Sequence, residues 1–200
     1  MKYYYSTGSC SLSPRIALQE AGLTHDSEAV DLAAKKTKGG SDFWAINSKG
    51  YVPALVLDDG ELLTENAVIL QYIADKTPEK KLAPPAGGME RVRFQEWLIF
   101  ITTELHKTFS PLFNPKSNDE FKETVVTRLK MRFGLITKQL GSKTYLFGDD
   151  FSVADGYLFT MLTWAKHKGV DVGPALTSYY DRVAARPAVQ AALKAEGIIA

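Results

Sequence analysis

Apolar residues follow two regimes along the chain. In the first, short strand-like runs alternate with helical spacing. Lys2 to Tyr5 is aromatic and β-prone, and a small polar turn, Ser6-Thr7-Gly8-Ser9-Cys10-Ser11, follows it. From about Ser11 to Ala21 the residues Leu12, Ile16, Ala17 and Leu18 fall on one helical face, with Gly22 as a natural stop. Pro14 fits near the start of that helix, where its missing N–H costs nothing. Ser27 to Asp31 reads as a second strand, Lys35 to Gly40 as a basic flexible loop, and Ser41 to Ile46 as a short helix. Val52 to Leu57 looks like a buried strand, Asp58-Asp59-Gly60 a hairpin turn and Glu61-Leu62-Leu63 the returning strand. An amphipathic helix is expected from Glu65 to Lys76.

The second regime begins after Leu82-Ala83-Pro84-Pro85-Ala86-Gly87-Gly88, whose prolines and glycines read as a linker. Beyond it the pattern is helical only. Helices are expected from Met89 to about Phe109, from Asn118 to Leu140, and from after Asp150 to about Lys168. Shorter ones follow near Ala175 to Ala185 and Ala188 to Ala195. The expected organisation is therefore an α/β domain over residues 1–80, a linker over 81–88 and an all-α domain over 89–200.

Composition narrows the function. With 45% hydrophobic residues the chain can build real cores, and 24 basic against 23 acidic residues leave a net charge of +1. That balance gives no electrostatic case for nucleic acid or a membrane surface, while a few local basic groups still suffice for a small anion. No apolar stretch approaches the roughly 20 residues needed to span a bilayer. Met1 to Ser6 leads straight into a strand-like run without the apolar core of a signal peptide. A cytoplasmic location is expected, and the single cysteine agrees with a reducing compartment.

Four places are candidates for chemistry and a fifth for structure. Cys10 lies at a helix N-terminus, where the dipole and unsatisfied N–H groups favour a thiolate and lower its pKa; the alternative is a packed, inert cysteine. Val52-Pro53 suggests a cis bond presenting the backbone of Val52 to an extended peptide, against a plain strand-start proline. Thr64-Glu65-Asn66 opens a helix and suits a small anionic head group, or serves only as an N-cap. His106, within Thr103-Glu104-Leu105-His106-Lys107, can donate a hydrogen bond to a thiolate with Lys107 adding charge, or be an ordinary core or surface histidine. Phe151-Ser152-Val153-Ala154-Asp155 reads as structural: a capping box, with Phe151 placed for a hydrophobic staple.

Together these features resemble the glutathione transferases, most closely the bacterial beta class. The resemblance rests on Tyr-Tyr-Ser-x-Gly-Ser-Cys-Ser-Leu-Ser-Pro at 4–14 and Asn-Ser-Lys-Gly-Tyr-Val-Pro-Ala-Leu at 47–55. It continues with Leu-Thr-Glu-Asn-Ala-Val-Ile at 63–69, Glu-Leu-His-Lys at 104–107 and Phe-Ser-Val-Ala-Asp at 151–155. It implies a thioredoxin-like N-terminal domain (βαβαββα), an all-α C-terminal domain and a homodimer. Glutathione is the implied co-substrate, with no tightly bound cofactor and no metal.

The resemblance also implies site roles. Cys10 would lie beside the glutathione sulfur, with the option of a mixed disulfide. Val52, before cis-Pro53, would pair with the cysteinyl unit, Glu65 and Asn66 would hold the γ-glutamyl end, and Lys35 would contact the glycine carboxylate. His106 would face the sulfur, with Lys107 nearby, and residues around Thr103 and Glu104 would touch glutathione across a dimer interface. Asn66 departs from the serine common in relatives and Ile99 from an asparagine. Tyr5, near the place of a catalytic tyrosine in other classes, is assigned a structural role. The expected reaction is attack of the glutathione thiolate on a small hydrophobic electrophile. Its rivals are monothiol glutathione-dependent disulfide reduction, since Ser13 stands where a C-x-x-C motif would carry its second cysteine, and non-catalytic sequestration of hydrophobic ligands.

Overall fold

A computed structural model describes all 200 residues, Met1–Ala200. The first half builds a five-stranded mixed sheet in the order β3-β2-β1-β4-β5. Strand β1 (Lys2–Tyr5) runs to helix α1 (Leu12–Ala21), which ends at Gly22 in the left-handed conformation, its N–H closing on the carbonyls of Gln19 and Leu18. Strand β2 (Asp26–Asp31) returns parallel to β1. The stretch read as a flexible loop is partly ordered: β3 (Lys36–Thr37) pairs antiparallel to β2. Glu28 fixes that turn by accepting from Lys2 Nζ at 2.6 Å and Gly39 N–H at 3.0 Å. A one-turn helix, α2 (Phe43–Ile46), leads to the hairpin of β4 (Ala54–Val56) and β5 (Leu62–Thr64), then to α3 (Asn66–Lys76). Strand β4 is shorter than expected because Val52 and Pro53 form the turn before it, and the Val52–Pro53 bond is cis.

The remainder is helical. The helix expected over Met89–Phe109 runs on to Phe113 in three parts: α4 (Met89–Phe100), a widened π-helical stretch over Ile101–His106, and α5 (Lys107–Phe113). Thr102 and Thr103 return their hydroxyls to the carbonyls of Leu98 and Ile99, at 2.8 and 3.0 Å, which diverts two consecutive acceptors from the α-helical pattern. Helix α6 (Asp119–Leu140) starts on Asn118, which accepts from Phe121 N–H. Helices α7 (Val153–His167), α8 (Gly173–Ala184) and α9 (Pro187–Ala195) complete the chain.

The capping box of α7 forms as expected and does more than cap. Asp155 accepts from Ser152 N–H and Oγ, from Leu146 N–H and from the Tyr179 hydroxyl. The staple does not form, because the facing position is Gly156. Phe151 packs instead against the Tyr145 ring and under the Arg186 guanidinium.

One continuous core joins the two halves. It draws Ile16 and Leu18 from α1, Ile69 and Ile73 from α3, Phe94 and Leu98 from α4, and Tyr157 and Phe159 from α7. Gly156 permits the close approach of α7 to α1, since a Cβ there would stand 3.2 Å from Ile16 Cγ2. The linker is not a free tether: Leu82 is buried and its carbonyl accepts from Val153 N–H at 2.9 Å. Ion pairs cross the same seam. Arg91 meets Asp75 in two bonds, Arg186 meets Glu20 in two, and buried Arg15 meets Glu196. A smaller cluster of Tyr4, Val30, Phe43, Val52 and Ala54 covers the other side of the sheet.

Candidate active site

The two halves leave between them a cleft of about 430 Å³. Its floor is the turn before α1. Gly8, at φ 69°, lets that turn reverse, and the helical half grips it from both sides: Glu196 accepts from Gly8 N–H at 2.9 Å, and the Trp164 indole donates to Gly8 O at 2.8 Å. Cys10 follows, its side chain buried and its thiol donating to Val52 O at 3.4 Å. The expected lowering of its pKa is reversed. Burial pushes the Cys10 thiol up to about 12, outweighing the backbone N–H and the Lys107 charge that act the other way. Cys10 is therefore a neutral donor in this fold.

The sheet side supplies Val52 and Pro53, and the start of α3 supplies Thr64, Glu65 and Asn66. Glu65 holds a left-handed φ of 66° with ψ 122°, a costly conformation for a non-glycine residue. Asn66 is wedged beneath Cys10: its amide donates to Cys10 O at 3.2 Å and Ser13 Oγ at 2.8 Å, while its buried Oδ1 has no partner. Lys49 Nζ bonds both Thr64 Oγ1 and Glu65 Oε1 at 2.9 Å. The 47–51 turn that presents Lys49 is shaped by Asn47, whose amide donates to Tyr51 O and whose Oδ1 accepts from Lys49 N–H. It also requires Gly50, at φ 65°, where a Cβ would strike the Trp44 ring at 2.5 Å.

The helical side contributes Thr102, His106, Lys107 and Ser110 from the widened helix, with Tyr157 and Trp164 from α7. His106 Nδ1 lies 2.7 Å from the Tyr157 hydroxyl, and its ring meets Trp164 edge-on at 5.2 Å. Burial, helped by the neighbouring Lys107 charge, lowers the His106 pKa to about 4, so the imidazole is neutral near pH 7. Burial likewise raises the Tyr157 hydroxyl, which stays protonated.

Cys10, Val52, Pro53, Glu65, Asn66, His106 and Lys107 thus meet in one cleft, as the sequence reading grouped them. Three others stand apart from its walls. Lys35 donates to Gly50 O at 2.8 Å and lies near the rings of Trp44 and Tyr51, behind the turn. Thr103 is exposed, and Glu104 pairs with Arg132 at 2.6 Å. Tyr5 stacks on Tyr3 beneath the Arg15 guanidinium, in keeping with a structural role. Sequence reading passed over Lys49, Thr102, Tyr157 and Trp164. Thr102, His106 and Ser110, four residues apart on one helix, were a usable signal for that wall.

Comparison with known proteins matches this geometry to a family. The model described as glutathione S-transferase, N-terminal domain, matches residues 7–76, and that of the glutathione S-transferase C-terminal domain matches residues 100–187. Glutathione S-transferase GstA of Escherichia coli O157:H7 is 42% identical over 200 residues, covering 99% of this chain and all of its own. The chain is a member of the glutathione S-transferase family. Among solved structures, the bacterial beta class glutathione S-transferase of Sphingomonas chungbukensis is 50% identical with a TM-score of 0.95 over the full length of both chains. A sphingomonad glutathione S-transferase complexed with glutathione is 47% identical with the same TM-score and coverage. The enzyme is thus a glutathione transferase of the bacterial beta type, with the N-terminal mixed sheet and C-terminal helices of that family. None of its helices is long and apolar enough to cross a membrane.

Proposed function

We propose that this transferase binds glutathione in the cleft between sheet and helices and joins its thiolate to a small hydrophobic electrophile. The observation that carries the reading is the convergence of donors on one end of the cleft, of which the Cys10 thiol now rests on Val52 O and is free to turn to a sulfur. There the Cys10 thiol, the neutral His106 imidazole and the Lys107 side chain surround the mouth of α1. A thiolate placed there gains charge-assisted hydrogen bonds and the dipole of α1. The extended tripeptide pairs with the backbone of Val52 beside cis-Pro53, whose neighbour N–H makes no bond within the chain. Its γ-glutamyl end is received at Glu65 and Asn66, and the glycine carboxylate falls to Lys35, which leaves Gly50 O behind the 47–51 turn to reach it.

The electrophile enters from the helical side, where Trp164 lies against Phe113 at 5.0 Å and offers an aromatic surface. Glutathione is the co-substrate, and no tightly bound cofactor takes part. Cys10 serves as a donor to the glutathione sulfur. Disulfide exchange through Cys10 is a slow side reaction at neutral pH, since exchange requires the thiolate that burial disfavours. The protein acts in the cytoplasm as a homodimer, with exposed Val68, Val92 and Ile99 on α3 and α4 as part of the joining face and Thr103 and Glu104 near its edge.

The test is the rate of glutathione conjugation to 1-chloro-2,4-dinitrobenzene by purified protein against a blank without enzyme. A clear rate is expected, with Asn66→Ala raising the KM for glutathione about tenfold. Tight glutathione binding without turnover would overturn the reading in favour of ligand sequestration.

A further inference from the structure

We infer that Lys49 is a further binding residue for glutathione: paired with Glu65, it receives the zwitterionic head group of the γ-glutamyl unit. Lys49 Nζ stands 2.9 Å from both Thr64 Oγ1 and Glu65 Oε1, and all three residues line the cleft. An ammonium carries three N–H groups, so these two bonds leave one donor unspent. On the other partner, Glu65 Oε2 makes no bond within the chain. The pair therefore offers a free acceptor on its anion beside a free donor on its cation.

Both members are held from behind. The turn fixes the backbone of Lys49: Asn47 Oδ1 accepts from its N–H at 3.1 Å, and Gly50 takes the left-handed φ of 65°. The Glu65 carbonyl accepts from Val68 N–H at 3.1 Å and Ile69 N–H at 3.0 Å, which ties its backbone to α3. Two anchored side chains joined at their tips present their charges in a set order. The γ-glutamyl unit ends in an α-ammonium and an α-carboxylate on one carbon. Glu65 alone would attract the first and repel the second, and for a net-neutral head group much of that cancels. With Lys49 beside it, each ligand charge meets its opposite. The ammonium reaches Glu65 Oε2, and the carboxylate takes the free Lys49 N–H together with the positive end of α3. The neighbouring cations stand elsewhere: Lys35 is behind the turn on Gly50 O, and Lys107 is on the helical wall. This inference rests on the proposed seating of the γ-glutamyl end at Glu65 and Asn66, and adds a cation to that seat.

The test is titration calorimetry of the full-length protein, under reductant, with glutathione and with 4-aminobutanoyl-cysteinyl-glycine, which lacks only the α-carboxylate. The wild type is expected to bind glutathione about tenfold more tightly than the analogue. Lys49→Met should weaken glutathione about fivefold and leave the analogue within about twofold, a modest effect because the pair is half exposed. Lys49 is a surface residue, so its replacement leaves the core untouched. Equal weakening of both ligands, or no change in either, would overturn the proposal. Tighter binding of glutathione by Lys49→Met would make Lys49 a rival for Glu65 and overturn it as well. If the wild type binds the two ligands alike, the seating of the γ-glutamyl end fails, and the role of Lys49 fails with it. A preference for glutathione that survives undiminished in Lys49→Met leaves that seating intact and removes Lys49 alone.

Discussion

Cys10 and His106 come from different halves of the chain, and burial acts on them in opposite directions. It raises the acid Cys10 and lowers the base His106, so both are neutral near pH 7. Cys10 should react with iodoacetamide at pH 7 at less than about a tenth of the rate of free glutathione and accelerate with rising pH; rapid alkylation near neutrality would mean a lowered pKa. Cys10→Ala should keep the KM for glutathione within about threefold, because the backbone of Val52 and the start of α3 remain. His106 should titrate by NMR near pH 4, well below the ordinary value of 6.5. Because the folded value lies below the unfolded one, the unfolded chain takes up this proton first. The stability tied to a neutral His106 is complete above about pH 6.5 and is lost as pH falls toward 4. In His106→Gln the acid-side loss of stability over that window should be shallower, as equilibrium denaturation at stepped pH would show.

At the scale of elements, the boundaries legible in the sequence were those set by local signals. Gly22 ends α1, Asn118 starts α6, and Ser152 with Asp155 starts α7, each through a bond made within a few residues. The features that escaped depend on distant partners. The widening over Ile101–His106 was foreshadowed only by the adjacent Thr102 and Thr103. Tyr157 and Trp164 sit in a nearly uninterrupted apolar stretch and read as core, while their polar atoms meet His106 and Gly8, far away in sequence. The position of Cys10 was legible; its burial, which reverses the effect of the helix terminus, was not. Asp155 combines the two kinds of contact, joining a local cap to Leu146 and Tyr179. Asp155→Ala should cost about 3 kcal/mol and lower the Tm by roughly 6–12 °C. A thermal melt shifted by less than about 2 °C would reduce it to an ordinary cap.

For the whole molecule, the division into residues 1–80 and 89–200 describes the chain order better than the energetics. The sheet half turns α1 into a core shared with α7 and α9, and the linker is pinned at Leu82. Thermal unfolding followed by far-ultraviolet circular dichroism and by tryptophan fluorescence should therefore give coincident transitions; two separable transitions would show independent domains. The same cross-packing brings the helical wall of the cleft against the turn that carries Cys10, and so assembles the donors around the place of the sulfur. That assembly is tested most directly by the pKa of glutathione's thiol when bound, read from the ultraviolet absorbance of the thiolate as pH is raised with enzyme in excess. A bound thiol lowered by about two units from its value in free solution is the predicted result, equivalent to about 2.7 kcal/mol of differential stabilisation. A bound thiol that titrates as it does in water would contradict the account.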